Sequence, residues 1–359
     1  MKIFLISNMF PSSKDPVYGV FVKNFRDQLL AQGMRFSCYS LIFGKSHLIF
    51  GKILKYAKYY ISIGFNFIKK DYDVIYVHYL SHNTPILLFL LFLFGKSKPI
   101  IINTHGSDVT KSKDKYIDKL NERLLKKIDL IVVPSQYFKE LILKQYLSLE
   151  EENVFVSPSG GINRETFYCK INKESNKEFR LGFVSRIDKN KGWDDFVNAL
   201  RILEKDGVNF KALIAGRGDD VDELLDLISV NKLQQKIIYV GVLDQNQLCD
   251  FYNELDVFVF PSKLSESLGL VGLEAMSCGI PVIGSGIAGI KTYVKNNFNG
   301  FLFEPGNIQD LADCIKQYSV FSDIKKNEFS LNAINTSEKY DSKYVTKNLI
   351  LKLKEIVIL

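Results

Sequence analysis

The chain has 359 residues, 47% apolar and 24% charged, with a formal net charge of +7. That composition supplies buried cores for two domains and excludes disordered, collagenous and disulfide-scaffold proteins. Its five cysteines, Cys38, Cys169, Cys249, Cys278 and Cys314, contain no C-x-x-C pair, so they offer neither a disulfide framework nor zinc spacing and fit a reducing cytoplasm.

The opening MKIFLISNMFP carries one lysine before an apolar stretch too short for a secretory signal, and it reads as a first strand. A loop over 10–19 and a helix from Val20 to Gln32 follow. The next segment is basic and aromatic: Lys45, Lys52, Lys55, Lys58, Lys69 and Lys70 stand among Ile, Leu, Phe and Tyr with no acidic residue from Gly44 to Lys70. It belongs to a positive half, since residues 1–170 hold 24 Lys and Arg against 14 Asp and Glu, and residues 171–359 hold 23 against 26. Such a segment suits an anionic surface, and lysines at 52, 55 and 58 make a helical polar stripe beside neighbours too continuously apolar for a narrow amphipathic face. A packed helix with a solvated lysine edge is the competing expectation. Nucleic acid is not expected, because no nucleic-acid-binding module accompanies the charge.

Further on, DVIYVHY, PIIINTHG and DLIVVPS read as strands buried on both faces, with helices at Ile86–Phe94 and Tyr116–Lys127 between them. Ile86–Phe94 is the longest apolar run and is too short for a bilayer crossing, which needs about 20 residues. The hydrophilic stretch Cys169–Glu178 predicts an inter-domain linker. The alternation then restarts with strands EFRLGFVS, FKALIAG, KIIYVGV, DVFVFPS and IPVIGS. Helices are expected at Asp194–Lys205, Asp222–Asn231, Gln245–Leu255, Leu268–Cys278 and Ile308–Tyr318. The expected organisation is two doubly wound, Rossmann-like α/β domains, 1–170 and 171–340, facing a cleft, with a C-terminal helix within 341–359 that either domain could hold.

Three constellations carry chemistry. In PSKLSESLGLVGLEAMSCGIPVIGS, a helix beginning near Leu268 would leave the amides of Leu268, Gly269 and Leu270 as first-turn donors for an anion, with Glu266 and Glu274 placed to accept from hydroxyls of the same ligand. In GFVSRIDKNKGWDDF, Arg186 and Lys191 follow a strand end and suit a diphosphate. In NTHGSD, His105 stands at a strand's carboxyl end, able to donate to a sugar hydroxyl or polarise an acceptor, with Asp108 nearby.

The spacing E-x7-E followed by AMSCGIPVI, together with R-x4-K-G, resembles the retaining glycosyltransferases of family 4, which have the GT-B fold. The resemblance implies that Glu266 contacts the transferred sugar, that Glu274 holds the nucleotide ribose, and that Arg186 and Lys191 neutralise the departing diphosphate. It implies donor-sugar contact by His105, with Asp108 beside it, and a glycine loop ending at Gly19 near the diphosphate, although the family's paired glycine is single here. The G-x-G turn of AGRGDD implies a donor contact at Gly216, and GVL implies that backbone atoms of Val242 hold the base. PSGGINRETF resembles the family's loop before the linker.

The function so implied is transfer of a hexose-type sugar from a nucleoside diphosphate, UDP favoured over GDP, to a hydroxyl of a glycan acceptor, with retention at the anomeric carbon. The positive first domain predicts a lipid-linked acceptor at the inner face of the cell membrane, in polysaccharide or lipopolysaccharide synthesis, with the protein peripheral there. No cofactor and no metal are expected, since no D-x-D stands in a strand-end context. A sugar-nucleotide epimerase of GT-B fold and a non-enzymatic membrane-surface module are the competing readings.

Overall fold

The computed structural model describes residues 1–16, 18–45, 48–106, 108, 115–170 and 178–358. The chain divides into two compact units, one of residues 1–161 with 342–359 and one of residues 162–341.

The first unit runs β1 (Lys2–Phe10), α1 (Val20–Ala31), β2 (Arg35–Phe43), α2 (Ile49–Lys69), β3 (Val74–His78), α3 (Thr84–Phe94), β4 (Ile100–Asn103), α4 (Lys115–Leu125), β5 (Leu130–Val133), α5 (Gln136–Gln145) and β6 (Val154–Val156). Its six strands form a parallel sheet in the order β2-β1-β3-β4-β5-β6, which reverses direction between β1 and β3. Helices cover both faces, so Ile3, Leu5 and Tyr76 bury toward one layer and Phe4, Ile75 and Val77 toward the other. This two-sided burial is why the strands read as continuous runs of Ile and Val.

The second unit runs β7 (Phe179–Val184), α6 (Trp193–Lys205), β8 (Phe210–Ala215), α7 (Val221–Val230), β9 (Ile237–Gly241), α8 (Gln245–Asn253), β10 (Val257–Phe260), α9 (Leu270–Ser277), β11 (Val282–Ser285), β12 (Gly300–Phe303), α10 (Ile308–Ser319) and α11 (Asp323–Glu338). Its parallel sheet has the order β12-β11-β10-β7-β8-β9 and reverses between β7 and β10. Loops after the strands flanking such a reversal splay apart and leave a crevice at the carboxyl edge.

The unit boundaries depart from the expected ones. Residues 162–170 pack with the second unit rather than the first, because Phe167 is buried among Tyr252, Leu273 and Met276 and its carbonyl accepts from Ser277 Oγ at 2.6 Å. Of the expected linker, residues 171–177 lie outside the described residues. The last helix, α12 (Ser342–Ile358), belongs to the first unit: Leu349, Ile350 and Leu353 bury against Val22 and Leu29 of α1. Gln32 Nε2 donates to the Lys343 carbonyl at 3.0 Å in the same contact.

The basic segment forms α2, and it has two apolar faces. Tyr59, Ile63 and Phe67 pack into the core, while Phe50, Leu54, Ile61, Phe65 and Ile68 stand exposed about half a turn away. Sequence reading missed this division because alternating four-residue spacings overlap in one continuous apolar run. The lysine stripe also needs correction: Lys52 and Lys58 are exposed, but Lys55 Nζ donates to the carbonyls of Phe43, Gly44 and Lys45 at 2.7, 2.9 and 3.2 Å. Its three protons are spent closing the end of β2.

Candidate active site

The second unit's site grows from the two strands at its sheet reversal. After β7, Ile187 is fully buried and anchors the loop, Asp188 accepts from the Asn190 amide at 2.9 Å, and a single 3-10 turn over Lys189–Lys191 follows. Asp220 Oδ2 accepts from the Lys189 amide at 2.7 Å, tying the loop that carries Gly216 to the loop that carries Arg186. A Cβ on Gly216 would lie 1.8 Å from the Ser185 carbonyl oxygen, so this glycine serves the close packing of those two loops.

Gly192 ends the turn at φ 76°, and a Cβ there would lie 1.9 Å from the Pro261 carbonyl oxygen. Only glycine allows both the left-handed conformation and that approach. The contact brings the loop after β7 onto the loop after β10, and it is there that Lys191 Nζ reaches Glu266 Oε1 at 2.6 Å. Ser262 Oγ donates to the same oxygen at 2.6 Å. Both charged side chains are 15% exposed, so the pair is largely desolvated and its geometry is fixed from two sides. The Glu266 carbonyl is held in turn by the Gly289 amide at 3.0 Å. Arg186, by contrast, is exposed to solvent at the same sheet edge, and Val242 is exposed after β9.

Helix α9 begins at Leu270, two residues later than the sequence reading placed it. Gly269 is its N-cap at φ 83°, and Leu268 lies buried ahead of it. The first-turn amides are therefore those of Leu270 and Val271, the Gly272 amide bonding back to the Gly269 carbonyl at 3.1 Å. Gly269 is required by its φ and by Phe260, whose ring would lie 2.5 Å from a Cβ, rather than by an approaching ligand. Tyr293 Oη donates to the Gly269 carbonyl at 3.0 Å and fixes the cap.

Glu274 lies on this helix with Tyr252 Oη donating to its Oε2 at 3.2 Å. Burial pushes its carboxyl up to about 7, only partly offset by that hydrogen bond. Both Glu266 and Glu274 act electrostatically on the buried Tyr293 phenol, which is held well above its ordinary value first by burial and then by these carboxylates. The two acids of the E-x7-E spacing thus share a neighbour. Ser262, Tyr252 and Tyr293 escaped sequence reading; a Ser at a strand's carboxyl end was a usable signal, whereas two tyrosines within apolar runs were not.

In the first unit, His105 follows β4 and its Nε2 lies 2.9 Å from Nδ1 of His78 at the end of β3. The rings stack at 5.1 Å between centroids, and Phe21 of α1 and Tyr79 close around His105 at 4.6 and 4.7 Å. Burial pushes His105 down to about 3 and His78 well below the ordinary histidine range, so both rings are neutral at pH 7. Among the described residues, His78 Nε2 has no hydrogen-bond partner. A lone pair is cheaper to orphan than a buried N–H, so the network assigns the proton to His78 Nδ1, donating to His105, and leaves His105 with its proton on Nδ1. His78 obeyed the same strand-end rule that singled out His105 and was overlooked.

Asp108 has a different place from the one expected of a sugar ligand. Its Oδ1 accepts from the His105 amide at 2.8 Å and its Oδ2 from the Leu80 amide at 3.1 Å, so both oxygens clamp the loops after β4 and β3 together. Burial nonetheless pushes it up to about 6. Gly19 caps α1, and a Cβ there would lie 2.6 Å from the Met9 carbonyl carbon, which packs the 10–19 loop on the end of β1.

Two doubly wound units, with an ion pair and a helix start at the sheet reversal of the second, define the class of GT-B proteins. Comparison places the chain within it. The family model for glycosyl transferases group 1 matches residues 165–335, and that for glycosyltransferase family 4 matches residues 21–160. The chain belongs to this glycosyltransferase family. It is 26% identical over 309 residues to an uncharacterized 41.2 kDa protein in the cps region of Klebsiella pneumoniae, covering 82% of this chain and 80% of that one. It is 26% identical over 293 residues to the capsular polysaccharide biosynthesis glycosyltransferase CapM of Staphylococcus aureus, covering 69% and 77%. The crystal structure of Anabaena HepE in complex with UDP superposes with a TM-score of 0.78 over 99% of this chain and 100% of that one, at 18% identity, and shares the fold. No helix among the described residues is long and apolar enough to cross a membrane.

Proposed function

We propose that this glycosyltransferase moves a sugar from a nucleoside diphosphate, UDP favoured, to a hydroxyl of a lipid-linked glycan in cell-surface polysaccharide or lipopolysaccharide synthesis. The observation that carries the reading is the desolvated contact of Lys191 with Glu266 at 2.6 Å, beside the start of α9. Arg186, Lys191 and the α9 amides would meet the leaving diphosphate, and catalysis would consist of charge stabilisation and positioning. Glu266 keeps its second oxygen for a sugar hydroxyl, and Glu274 takes the ribose. A neutral His105 presents an N–H rather than a full charge to the sugar, which suits hydrogen bonding to a hydroxyl.

The transfer would retain configuration. The bond from the anomeric carbon to the diphosphate oxygen breaks as the acceptor oxygen bonds the same face, and the acceptor's proton passes to the departing phosphate oxygen. No metal and no cofactor take part in this scheme. The names of the relatives support a polysaccharide role, and UDP in the Anabaena structure supports the base.

The acceptor is proposed to be membrane-borne because α2 turns Phe50, Leu54, Ile61 and Phe65 outward beside Lys58 and Lys69, and α3 exposes Phe89, Phe92 and Leu93. Apolar side chains edged by cations suit the inner face of an anionic bilayer.

Incubating the protein with radiolabelled UDP- and GDP-sugars and extracted membrane lipids tests the reading. Label should move from a UDP-sugar into the lipid fraction, and Glu266→Ala should abolish the transfer with the fold intact. Label that stays on the nucleotide as an altered sugar would favour an epimerase. Failure to bind any nucleotide would favour a surface module.

A further inference from the structure

Lys263 lies in the loop after β10, three residues before Glu266, and makes a second bridge to the elements after β7. Its Nζ donates to both carboxylate oxygens of Asp194, at 3.0 and 2.9 Å, and lies 3.0 Å from Oδ1 of Asp195. Its backbone amide donates to the Asn190 carbonyl at 2.9 Å, one residue before Lys191. Asp194 and Asp195 stand in the first turn of α6, which the buried Trp193 and Phe196 anchor in the core. The clip therefore ties an irregular loop to a packed helix.

An ammonium has three N–H groups and Lys263 has three carboxylate oxygens around it, so it keeps no donor for a ligand. Lys191 differs: among the described residues Glu266 is its one hydrogen-bond partner, which leaves two N–H groups for a diphosphate. The Asp195 side chain is 7% exposed, and among the described residues its Oδ2 has no hydrogen-bond partner. Burial pushes this carboxyl up, and Lys263 opposes the rise. Without that lysine two adjacent carboxylates, one of them buried, would lose their cation, and the loop its hold on α6.

We propose that Lys263 is a positioning residue for sugar transfer, holding the loop of Glu266 in register with Lys191 through its clip on Asp194 and Asp195. The proposal rests on the reading of Lys191 and Glu266 as donor-site groups. When a donor binds, Lys191 turns N–H groups to the diphosphate and Glu266 turns an oxygen to the sugar, which loosens the bond between them. A clip that touches neither ligand keeps the two loops together through that exchange, so both groups meet the transition state already placed.

Transfer from a UDP-sugar to membrane lipids, UDP affinity by calorimetry, and hydrogen exchange over residues 262–268 test this in variants of the full chain. Lys263→Met should lower kcat by about 30-fold while UDP affinity stays within about twofold, because UDP lacks the sugar that Glu266 meets. Lys263→Arg, which keeps the charge and the donors, should recover kcat to within about threefold of wild type. Residues 262–268 should exchange faster in Lys263→Met while β10 stays protected. A merely structural clip would lower the denaturation midpoint and leave kcat per folded molecule unchanged. Wild-type kcat in Lys263→Met, or a loss that Arg does not recover, would overturn the proposal. Should Lys263→Met not fold, Asp194→Asn decides, its side chain being 26% exposed: a kcat about fivefold lower supports the clip, and wild-type kcat overturns it. Transfer by wild type and Lys263→Met alike removes this role alone, whereas no transfer by wild type removes the donor-site reading and this role with it.

Discussion

Lys191 and Glu266 stand 75 residues apart in sequence and 2.6 Å apart in space, each held by backbone that follows a different strand of the same sheet reversal. Replacing Lys191 by Ala leaves a desolvated carboxylate without its cation. Transfer should fall by about 100-fold or more, in line with the loss of a preorganised charge at a leaving group. Steady-state rates at saturating donor check this, and a loss below tenfold would remove Lys191 from the leaving-group site.

Glu274 should make stability and donor binding depend on pH in opposite senses. Its folded value of about 7 lies above its ordinary 4.5, so between those values the folded chain holds the extra proton, and its contribution to stability falls as pH rises from 4.5 through 7. Chemical denaturation of wild type and Glu274→Gln across this range should show the variant with the flatter profile. UDP, bound through an ionised Glu274, should bind more tightly at pH 8 than at pH 6 in wild type and equally at both in the variant.

The histidine pair predicts a division between variants. His78→Phe removes the donor to His105 Nε2 and frees that ring to turn, whereas His78→Asn can restore an N–H near the same point. The first should lower kcat by about tenfold with little change in the KM for donor, and the second should recover much of it. Equal activity in both would show that His105 needs no such support.

Gly192→Ala forces a methyl group into the Pro261 carbonyl and a side chain onto a left-handed backbone. Destabilisation of about 2 kcal/mol or more is expected by urea denaturation. Because the same contact aligns Lys191, activity should fall further than the fraction folded.

Vesicle flotation should report the outer face of α2. Replacing Phe50, Ile61 and Phe65 by Ser should reduce binding to vesicles of phosphatidylglycerol, and raising the salt to 0.5 M should weaken binding by wild type through screening of its lysines. Retention of binding under both changes would argue against this face.

The alternation of apolar strands with helix-period stretches made both doubly wound units legible, because a parallel sheet covered on two faces demands uninterrupted Ile, Val and Leu. Elements with weaker patterns were missed: β2, whose burial alternates at the sheet edge, and the short β6 and β12. The basic segment showed its charge, but not that Lys55 would be consumed by three carbonyls, because carbonyls carry no residue identity.

For the site, residue type and spacing nominated Arg186 and Lys191, as cations following a strand end, and Glu266 and Glu274, as acids flanking the start of a helix. Packing decided the rest. Close approach of Gly192 to Pro261 joined the turn of Lys189–Lys191 to the loop of Glu266; burial raised the carboxyl of Glu274; and Asp108, nominated for the same reason as His105, turned inward to hold two amides. Local chemistry is written along the chain, but solvation and hydrogen-bond partners depend on groups brought from distant positions, and only the tertiary structure supplies them.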